Sequence, residues 1–497
     1  MIRTILGPKI SDVVTGLIGT CGEIYLVGGA VRDHLLNISS HDFDFVVKNN
    51  ALKAAKICAD RMHGSYYALD QERGTGRVLL ELRGESIILD FATLASKGIR
   101  KDLELRDFTF NAMAVDLNAP DDLIDPLSGA QALHDKIMRP CSASSFENDP
   151  IRTIRAIRFQ QRLELQVEES TATLIRSAAP GLKNISAERK RDELFAVFES
   201  AHIKESCLLL QSYQIWDEVF PYLSDLDQLE KVPRHVHSLM DHTLQVLDYS
   251  QILVNHIKGN QVETDNKFVK SGWEILDEFQ IELDEYFAHP IHSQRQYGSL
   301  LFLAILYHDL SKVNIIPQEV GGKIGFPDHA QKSAEIFSKT RSNWALSKNE
   351  FDFVDRIIRN HTLPLGIQGT HEARSRRELY HFFQRSQSAG VLIGILHLAD
   401  ILATYEDTLT SARWEKARET CRTLLDCWFR KYNQIVEPPV LFTGDELMKE
   451  FGLEPGPQIG EILMNIQEGQ AVGEIWDRKM AAAFVKQYLK KKEEDPK

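Results

Sequence analysis

Short apolar runs fill the first quarter of the chain. Ile24–Val27, Phe43–Val47, Arg77–Leu82, Ser86–Asp90 and Ala112–Leu117 have the β-branched, aromatic and alternating character of strands, while Ala51–Met62 repeats its apolar positions at helical spacing. These elements predict an α+β head. From Asp149 onward the period lengthens: Ile151, Ile154, Ile157, Phe159 and Leu163 fall on one helical face, and strand signals nearly vanish, so the remainder is predicted to be mainly helix. Pro140–Asn148, Pro221–Pro233, the acidic stretch 256–288 and Glu437-Pro438-Pro439 are the candidate seams, and Lys490–Lys497 reads as a frayed charged tail. A chain of 497 residues exceeds what one core fills, since domains run to roughly 100–200 residues. Four modules are expected, at 1–140, 141–225, 226–410 and 411–497.

Composition adds exclusions. With 43% hydrophobic and 26% charged residues the chain is neither disordered nor fibrous. Its longest uninterrupted apolar run, Leu300–Tyr307, falls short of the ~20 residues that cross a bilayer, and Met1–Gly16 lacks the apolar core of a secretory signal. The six cysteines include no Cys-x-x-Cys pair, which fits reduced thiols better than a disulfide frame or zinc knuckle. A cytoplasmic protein without a membrane partner is expected. The net charge of −13 argues against a protein that coats nucleic acid without selectivity. That charge is uneven, however. Arg139–Asp192 holds ten Lys or Arg against seven acids, while Glu263–Glu285 holds eight acids against Lys267 and Lys270, so a focused phosphate contact fits the basic segment.

The candidate chemistry begins at Tyr25-Leu26-Val27-Gly28-Gly29-Ala30-Val31-Arg32-Asp33, which reads as a strand, a glycine turn and a helix start. Backbone amides of Gly28 and Gly29 can approach a triphosphate there, and Arg32 can pair with it. In His41-Asp42-Phe43-Asp44-Phe45 two carboxylates lie at i and i+2 of a strand, hence on one face, and such hard oxygen ligands suit Mg²⁺. Asp90, at the end of the run Ile87-Ile88-Leu89, is a third candidate ligand. Together these motifs resemble class II tRNA nucleotidyltransferases and bacterial poly(A) polymerases, members of the DNA polymerase β superfamily. The resemblance implies a polymerase-β-like head with Asp42 and Asp44 as catalytic metal ligands. It continues at Arg106-Asp107-Phe108-Thr109-Phe110-Asn111, similar to the family's Arg-Arg-Asp motif with Leu105 in place of the first Arg. There it implies that Arg106 and Asp107 reach the incoming nucleotide and its ribose hydroxyl.

Asn148-Asp149-Pro150-Ile151-Arg152-Thr153-Ile154-Arg155-Ala156-Ile157-Arg158 predicts a helix capped by Asp149, with Arg152, Arg155 and Arg158 striped along it at spacing three. The segment resembles the family's Glu-Asp-x-x-Arg motif, with Asn148 in place of Glu. That likeness implies that Asp149 and Arg152 read the base of CTP or ATP, with Arg155 beside them. Ser186–Leu194 matches a further family helix, read here as neck scaffold. Between Asp90 and Arg106 the chain is short where many CCA-adding members carry a longer loop. Synthesis of CCA on the 3′ end of tRNA is the leading expectation, with CC-addition or A-addition alone as variants.

His242, His308-Asp309, His329, His361 and Asp400 fall on separate predicted helices, and His308-Asp309 closes a strongly apolar one, where an unpaired acid is costly to bury. The set resembles the HD phosphohydrolase superfamily. This implies a divalent ion (Ni, Mn, Co, Fe or Mg) on His242, His308, Asp309 and Asp400, with His329 and His361 extending the site, and a second, phosphoester-cleaving activity. Gly444-Asp445-Glu446-Leu447 and Gly452–Gly460 resemble the C-terminal unit of such enzymes, read as RNA-binding. Two rivals remain: a poly(A) polymerase, for which Lys490–Lys492 is a poor basic tail, and an HD hydrolase whose head only senses nucleotide. No protein partner is deducible.

Overall fold

The computed structural model describes residues 1–82, 84–95, 97–200, 202–229, 238–289, 295–320, 323–366 and 373–494. The seam expected at Pro221–Pro233 and the tail at Lys490–Lys497 lie partly outside these residues. Contacts divide the chain into two compact units, Met1–Ser200 with Leu209–Glu218, and Ala201–Leu208 with Val219–Lys497.

In the first unit seven strands, β1 (Ile24–Val27), β2 (Asp42–Val47), β3 (Ser65–Asp70), β4 (Thr75–Leu82), β5 (Glu85–Thr93), β6 (Ala114–Asp116) and β7 (Leu123–Ile124), form one sheet in the order β3-β4-β5-β2-β1-β6-β7. The β2–β5 pair is parallel and its neighbours are antiparallel. Phe43 and Phe45 alternate with Asp42 and Asp44 along β2, and Phe45 stacks on Phe91 with ring centroids 4.9 Å apart, so the aromatic face is sealed and the acidic face left open. The helix Ala51–Met62 buries Ala51, Ala54, Ala55, Cys58 and Ala59, small residues that permit close approach to the sheet, and Asn50 caps it by accepting from the Lys53 amide. The expected strands and the 51–62 helix are present. Strand β3 carried no sequence signal because it lies at the sheet edge with mostly exposed side chains. An N-terminal helix, Ile2–Thr15, bends at Gly7-Pro8 and was likewise unforeseen.

Helices Arg152–Arg162, Glu169–Ala178 and Ala187–Phe198 follow in the same unit. The cap expected at Asp149 does not form: the helix starts at Arg152 without a side-chain cap, and the Asp149 carboxylate accepts instead from Arg189 at 2.8 Å.

Apart from the short hairpin Gln318–Val320 with Lys323–Gly325, the second unit's regular elements are helices. Leu239–Ile257, Tyr297–Tyr307, His329–Ser338, Lys348–Asn360 and Ala389–Tyr405 make its core. One stretch, Ala389–Thr408, is long and apolar enough to cross a membrane, and its most apolar window is 83% buried inside the protein. Counting uninterrupted apolar runs had passed it over because His397 and Asp400 break it. The acidic stretch 256–288 folds into two helices, Lys267–Glu278 and Gln280–Ala288, and Arg418, Arg422 and Arg430 pair with Glu274, Glu278 and Glu282. Arginines on a neighbouring helix thus answer its charge. The presumed frayed tail is helical through Glu494. All six cysteines are free.

Candidate functional site

Register across the sheet assembles the head site. Asp44 lies opposite Asp90, and Asp90 opposite Arg77, so one row runs Arg77, Asp90, Asp44 and Val27 across β4, β5, β2 and β1. Asp42 lies two residues from Asp44 on the same open face. Gly28 follows β1 with φ at +72°, and a Cβ there would come within 2.9 Å of Arg106 Nη1 and 3.7 Å of Asp44 Oδ2. Only glycine supplies both the conformation and the space. Turn, carboxylate pair and Arg106 therefore meet at one point. Gly29 opens the helix Gly29–Leu35, where a Cβ would make only ordinary contact with Arg32.

Loss of water around the Asp44 carboxyl, with the charges of Asp42 and Asp90 beside it, pushes its pKa up to about 6. Asp42 is raised as well, through loss of water and then Asp90. Crowded acids that resist ionising are a donor set that a divalent cation relieves. Asp90 stands apart, since both its oxygens accept from Arg77, at 2.8 and 2.7 Å. Sequence reading overlooked Arg77, although the tight β4–β5 hairpin places the two opposite each other.

Four of the side chains expected to contact nucleotide have protein partners. Arg32 is only 4% exposed, and its guanidinium donates to Asn111 at 2.6 Å and Asp33 at 2.8 Å, so it braces the turn from within. Asp107 is 8% exposed and accepts from the Phe108 amide, Asn111 and two nitrogens of Arg155. Burial would raise its pKa, but the Arg155 guanidinium outweighs this and holds it below the usual range. Arg155 is shared between Asp107 and Glu193. Arg152 donates to the carbonyls of Leu105, Arg106 and Ser145 and to Ser145 Oγ. These bonds tie the Leu105–Arg106 backbone to Ser145. Arg106, Asp107, Asp149, Ile151, Arg152, Arg155, Arg189, Asp192 and Glu193 line a cavity of about 470 Å³. The residues read as base contacts do converge on one space, together with Arg189, Asp192 and Glu193 from the supposed scaffold helix.

In the second unit the histidines and acids converge around Asp309. His308 Nε2 lies 3.3 Å from Asp309 Oδ2, His329 Nε2 3.2 Å and His361 Nε2 3.5 Å from Oδ1, and His242 Nε2 3.2 Å from Asp400 Oδ1. Candidate ligand atoms of His242, His308 and Asp309, and of Asp309, His329 and His361, fall into two groups, each within 4.8 Å. In His308, His329 and His361 the Nδ1 contacts the carbonyl of the residue three earlier, at 2.7, 2.7 and 2.8 Å. With Nδ1–H donating there, Nε2 is left as a lone pair facing Asp309, the orientation a metal ligand needs. His308 Nε2 and Asp309 Oδ1 are buried without a well-formed hydrogen bond. The donor set thus fits a transition-metal ion. Lys312, unnoticed in the sequence, ion-pairs with Asp309.

Residues 24–139 match the poly(A) polymerase head domain, and residues 164–226 match the probable RNA- and SrmB-binding site of polymerase A. In these two segments the chain is similar to the CCA-adding enzyme and poly(A) polymerase family. Its named relatives are tRNA nucleotidyltransferases. It is 44% identical over 188 residues to a CC-adding tRNA nucleotidyltransferase of Geobacter sulfurreducens, covering 37% of this chain and 43% of that protein. An A-adding tRNA nucleotidyltransferase of Deinococcus radiodurans is 27% identical over 475 residues, 93% of this chain and 95% of the relative. A CCA-adding enzyme solved with CTP superposes with a TM-score of 0.60 at 22% identity over 98% of this chain and 97% of that one. The Thermotoga maritima CCA-adding enzyme complexed with tRNA gives 0.56 at 21% identity over 98% of each. At such identities the likeness is one of fold.

Proposed function

We propose that this nucleotidyltransferase adds C and A from CTP and ATP, without a nucleic-acid template, to the 3′ end of tRNA in the cytosol. Residues 1–140 act as catalytic head, 141–225 as nucleotide-reading neck, 226–410 as an HD-type domain and 411–497 as an RNA-contacting unit. The observation that carries the reading is the convergence of Asp42, Asp44, the Gly28 turn and Arg106 on one open sheet face. Asp42 and Asp44 would hold Mg²⁺, which supplies charge neutralisation of a triphosphate and acidifies an attacking 3′-hydroxyl. The rest falls to the chain. Gly28 keeps space for phosphate beside the carboxylates, Arg106 adds a cation to the same point, and the adjoining cavity orients the base.

Partial activity is favoured by a specific observation: the segment between Asp90 and Arg106 is short, and two relatives carry CC-adding and A-adding names. Incubation with Mg²⁺, labelled CTP or ATP and tRNAs ending at the discriminator base, at C or at CC separates the cases. CCA synthesis labels all three ends. Label from ATP on the CC end alone identifies an A-adding enzyme, and label from CTP alone a CC-adding one. No incorporation with any end overturns the proposal.

A second activity is proposed for the histidine cluster, metal-dependent hydrolysis of a phosphoester such as a 2′,3′-cyclic phosphate. Its support is the arrangement of Nε2 atoms around Asp309. Chelation followed by re-addition of Ni²⁺, Mn²⁺, Co²⁺, Fe²⁺ or Mg²⁺, with release of the phosphomonoester as readout, tests it. Absence of hydrolysis with every metal overturns it.

A further inference from the structure

Apart from the head and the histidine cluster, another cavity lies wholly within the second unit, where the end of the helix Ala373–Ser386 meets the helix Ser411–Phe429 and the turn that follows it. Its volume is about 350 Å³, at the small end of ligand sites. Phe383, Trp428 and Tyr432 supply aromatic walls. The Phe383 and Trp428 rings lie 5.8 Å apart between centroids, and Trp428 meets Tyr432 edge-on at 5.1 Å. Three primary amides, those of Gln384, Gln387 and Gln467, line the same space. Gln384 Nε2 donates to the Val436 carbonyl at 3.1 Å, which leaves its oxygen as an acceptor, whereas the side chains of Gln387 and Gln467 have no hydrogen-bond partner among the described residues. Two uncommon backbone features frame the cavity. Gln387 joins the helices Ala373–Ser386 and Ala389–Tyr405 with φ at +49°, a conformation that favours glycine, and Tyr432–Val436 forms a turn of π-helix. Such conformations carry a cost and concentrate at binding sites.

We propose that this cavity binds an unpaired nucleobase of the RNA substrate, stacked on Trp428 and Tyr432 and met at its edge by Gln387 and Gln467. The inference rests on the tRNA substrate proposed above. Aromatic faces stack on any base, and a primary amide presents a donor and an acceptor in one plane, which complements a base edge. The charge of the lining separates two sources of such a base. Glu437 lines the cavity and accepts from the Tyr432 hydroxyl at 2.7 Å, and no Lys or Arg among the described residues lines it. A free nucleotide would bring its phosphates against that carboxylate with no cation to offset the repulsion. A base carried on a long chain enters with its phosphates left outside, so RNA is the source that the charge favours. Asp42 and Asp44 belong to the other unit, and the cavity therefore acts on RNA affinity and not on the transfer step.

The test compares Trp428→Leu and Gln387→Gly with the parent, as full-length proteins, by equilibrium binding of tRNA without nucleotide and then by steady-state addition. Trp428→Leu removes the stacking face and is expected to weaken tRNA binding about tenfold. Gln387→Gly removes an amide while supplying the residue that the positive φ favours, and is expected to weaken binding about fivefold with no fall in melting temperature. KM for tRNA should rise by the same factors, with kcat and KM for CTP or ATP at the parent's values. Irradiation of the tRNA complex should crosslink RNA to the peptide that holds Trp428 and Tyr432. Parental tRNA binding in both variants, with no crosslink there, overturns the inference. Binding of free mononucleotides that Trp428→Leu abolishes, with tRNA binding unchanged, overturns the RNA base in favour of a free nucleotide. A parent that adds nothing to any tRNA end overturns the functional proposal, whereas weakened tRNA binding by the two variants still upholds this site.

Discussion

Two metal-suited sites in one chain are built on opposite plans. The head places two carboxylates on an open sheet face, two residues apart on a single strand, beside a glycine turn. The histidine cluster draws His242, His308, Asp309, His329 and His361 from separate stretches of the chain and buries His242, His308 and Asp309 almost completely. An open pair of hard oxygens suits a cation that retains water and shares its coordination with substrate phosphates. A buried imidazole set suits a tightly held transition metal. The difference teaches that exposure and ligand type together assign the two proposed chemistries, one to an RNA terminus and one to a phosphoester.

The largest expected effect breaks the two apart. Asp44→Ala should lower nucleotide addition about a thousandfold, the scale of losing metal-borne charge stabilisation, and leave phosphoester hydrolysis unchanged. Addition by the variant within tenfold of the parent removes Asp44 from the metal site. The reciprocal change, Asp309→Asn, is expected to reduce hydrolysis at least about a hundredfold through lost metal affinity, with tRNA labelling within twofold of the parent. Metal content after dialysis checks the cause, since only Asp309→Asn should release the tightly held ion.

What could be read from the sequence follows the same division. Gly28, Asp42 and Asp44 are local: a two-residue period on a strand puts both acids on one face before any tertiary structure is known. The histidine positions could be named, but only packing sets Asp309 between His308, His329 and His361. Local reading could not see long-range partners. Arg32 follows the glycine turn as a phosphate ligand would, yet Asn111, distant in sequence, takes its guanidinium. Arg155 sits on a regular stripe with Arg152, yet Asp107 and Glu193 claim it. Asp149 has every property of a helix cap, yet Arg189 from a later helix outcompetes the amides. Strand β3 was missed for the simpler reason that an exposed edge strand carries no burial pattern.

The Arg155 network sharpens the comparison from the stability side. Asp107 and Glu193 have side chains 9% and 14% exposed; Arg155 pairs with both, and Arg158 adds a second ion pair to Glu193. Arg155→Ala leaves the nearly buried Asp107 without its ion-pair partner, while Glu193 keeps Arg158 at 3.0 Å, and is expected to cost about 2–3 kcal/mol, lowering the melting temperature by roughly 5–10 °C. Arg155→Lys should recover less than half of that, since an ammonium cannot span both carboxylates. The histidine cluster's hydrolysis at 25 °C should be untouched by either change. A parent-like melting curve for Arg155→Ala shows that water replaces the guanidinium without penalty.

The smallest effect concerns the charge of the head pair without metal. Asp44 has a pKa of about 6, above the 3.8 of an ordinary aspartate, chiefly through loss of water and then through Asp42. The ionised form is therefore the one the fold tolerates poorly. As pH rises from about 4 through 6 the unfolded chain releases this proton before the folded one, so the group's contribution to stability declines across that window and levels off above it. In chelator, Asp44→Asn should melt together with the parent near pH 4 and above it at pH 7. Added Mg²⁺ should raise the parent's melting temperature at pH 7 more than that of the variant, because only the parent retains both carboxylates. A variant that melts below the parent in chelator at pH 7 reverses the sign. It would mean that ionised Asp44 is already stabilised by Arg106 and Arg77, and that the head carries a balanced charge cluster instead of a cation site.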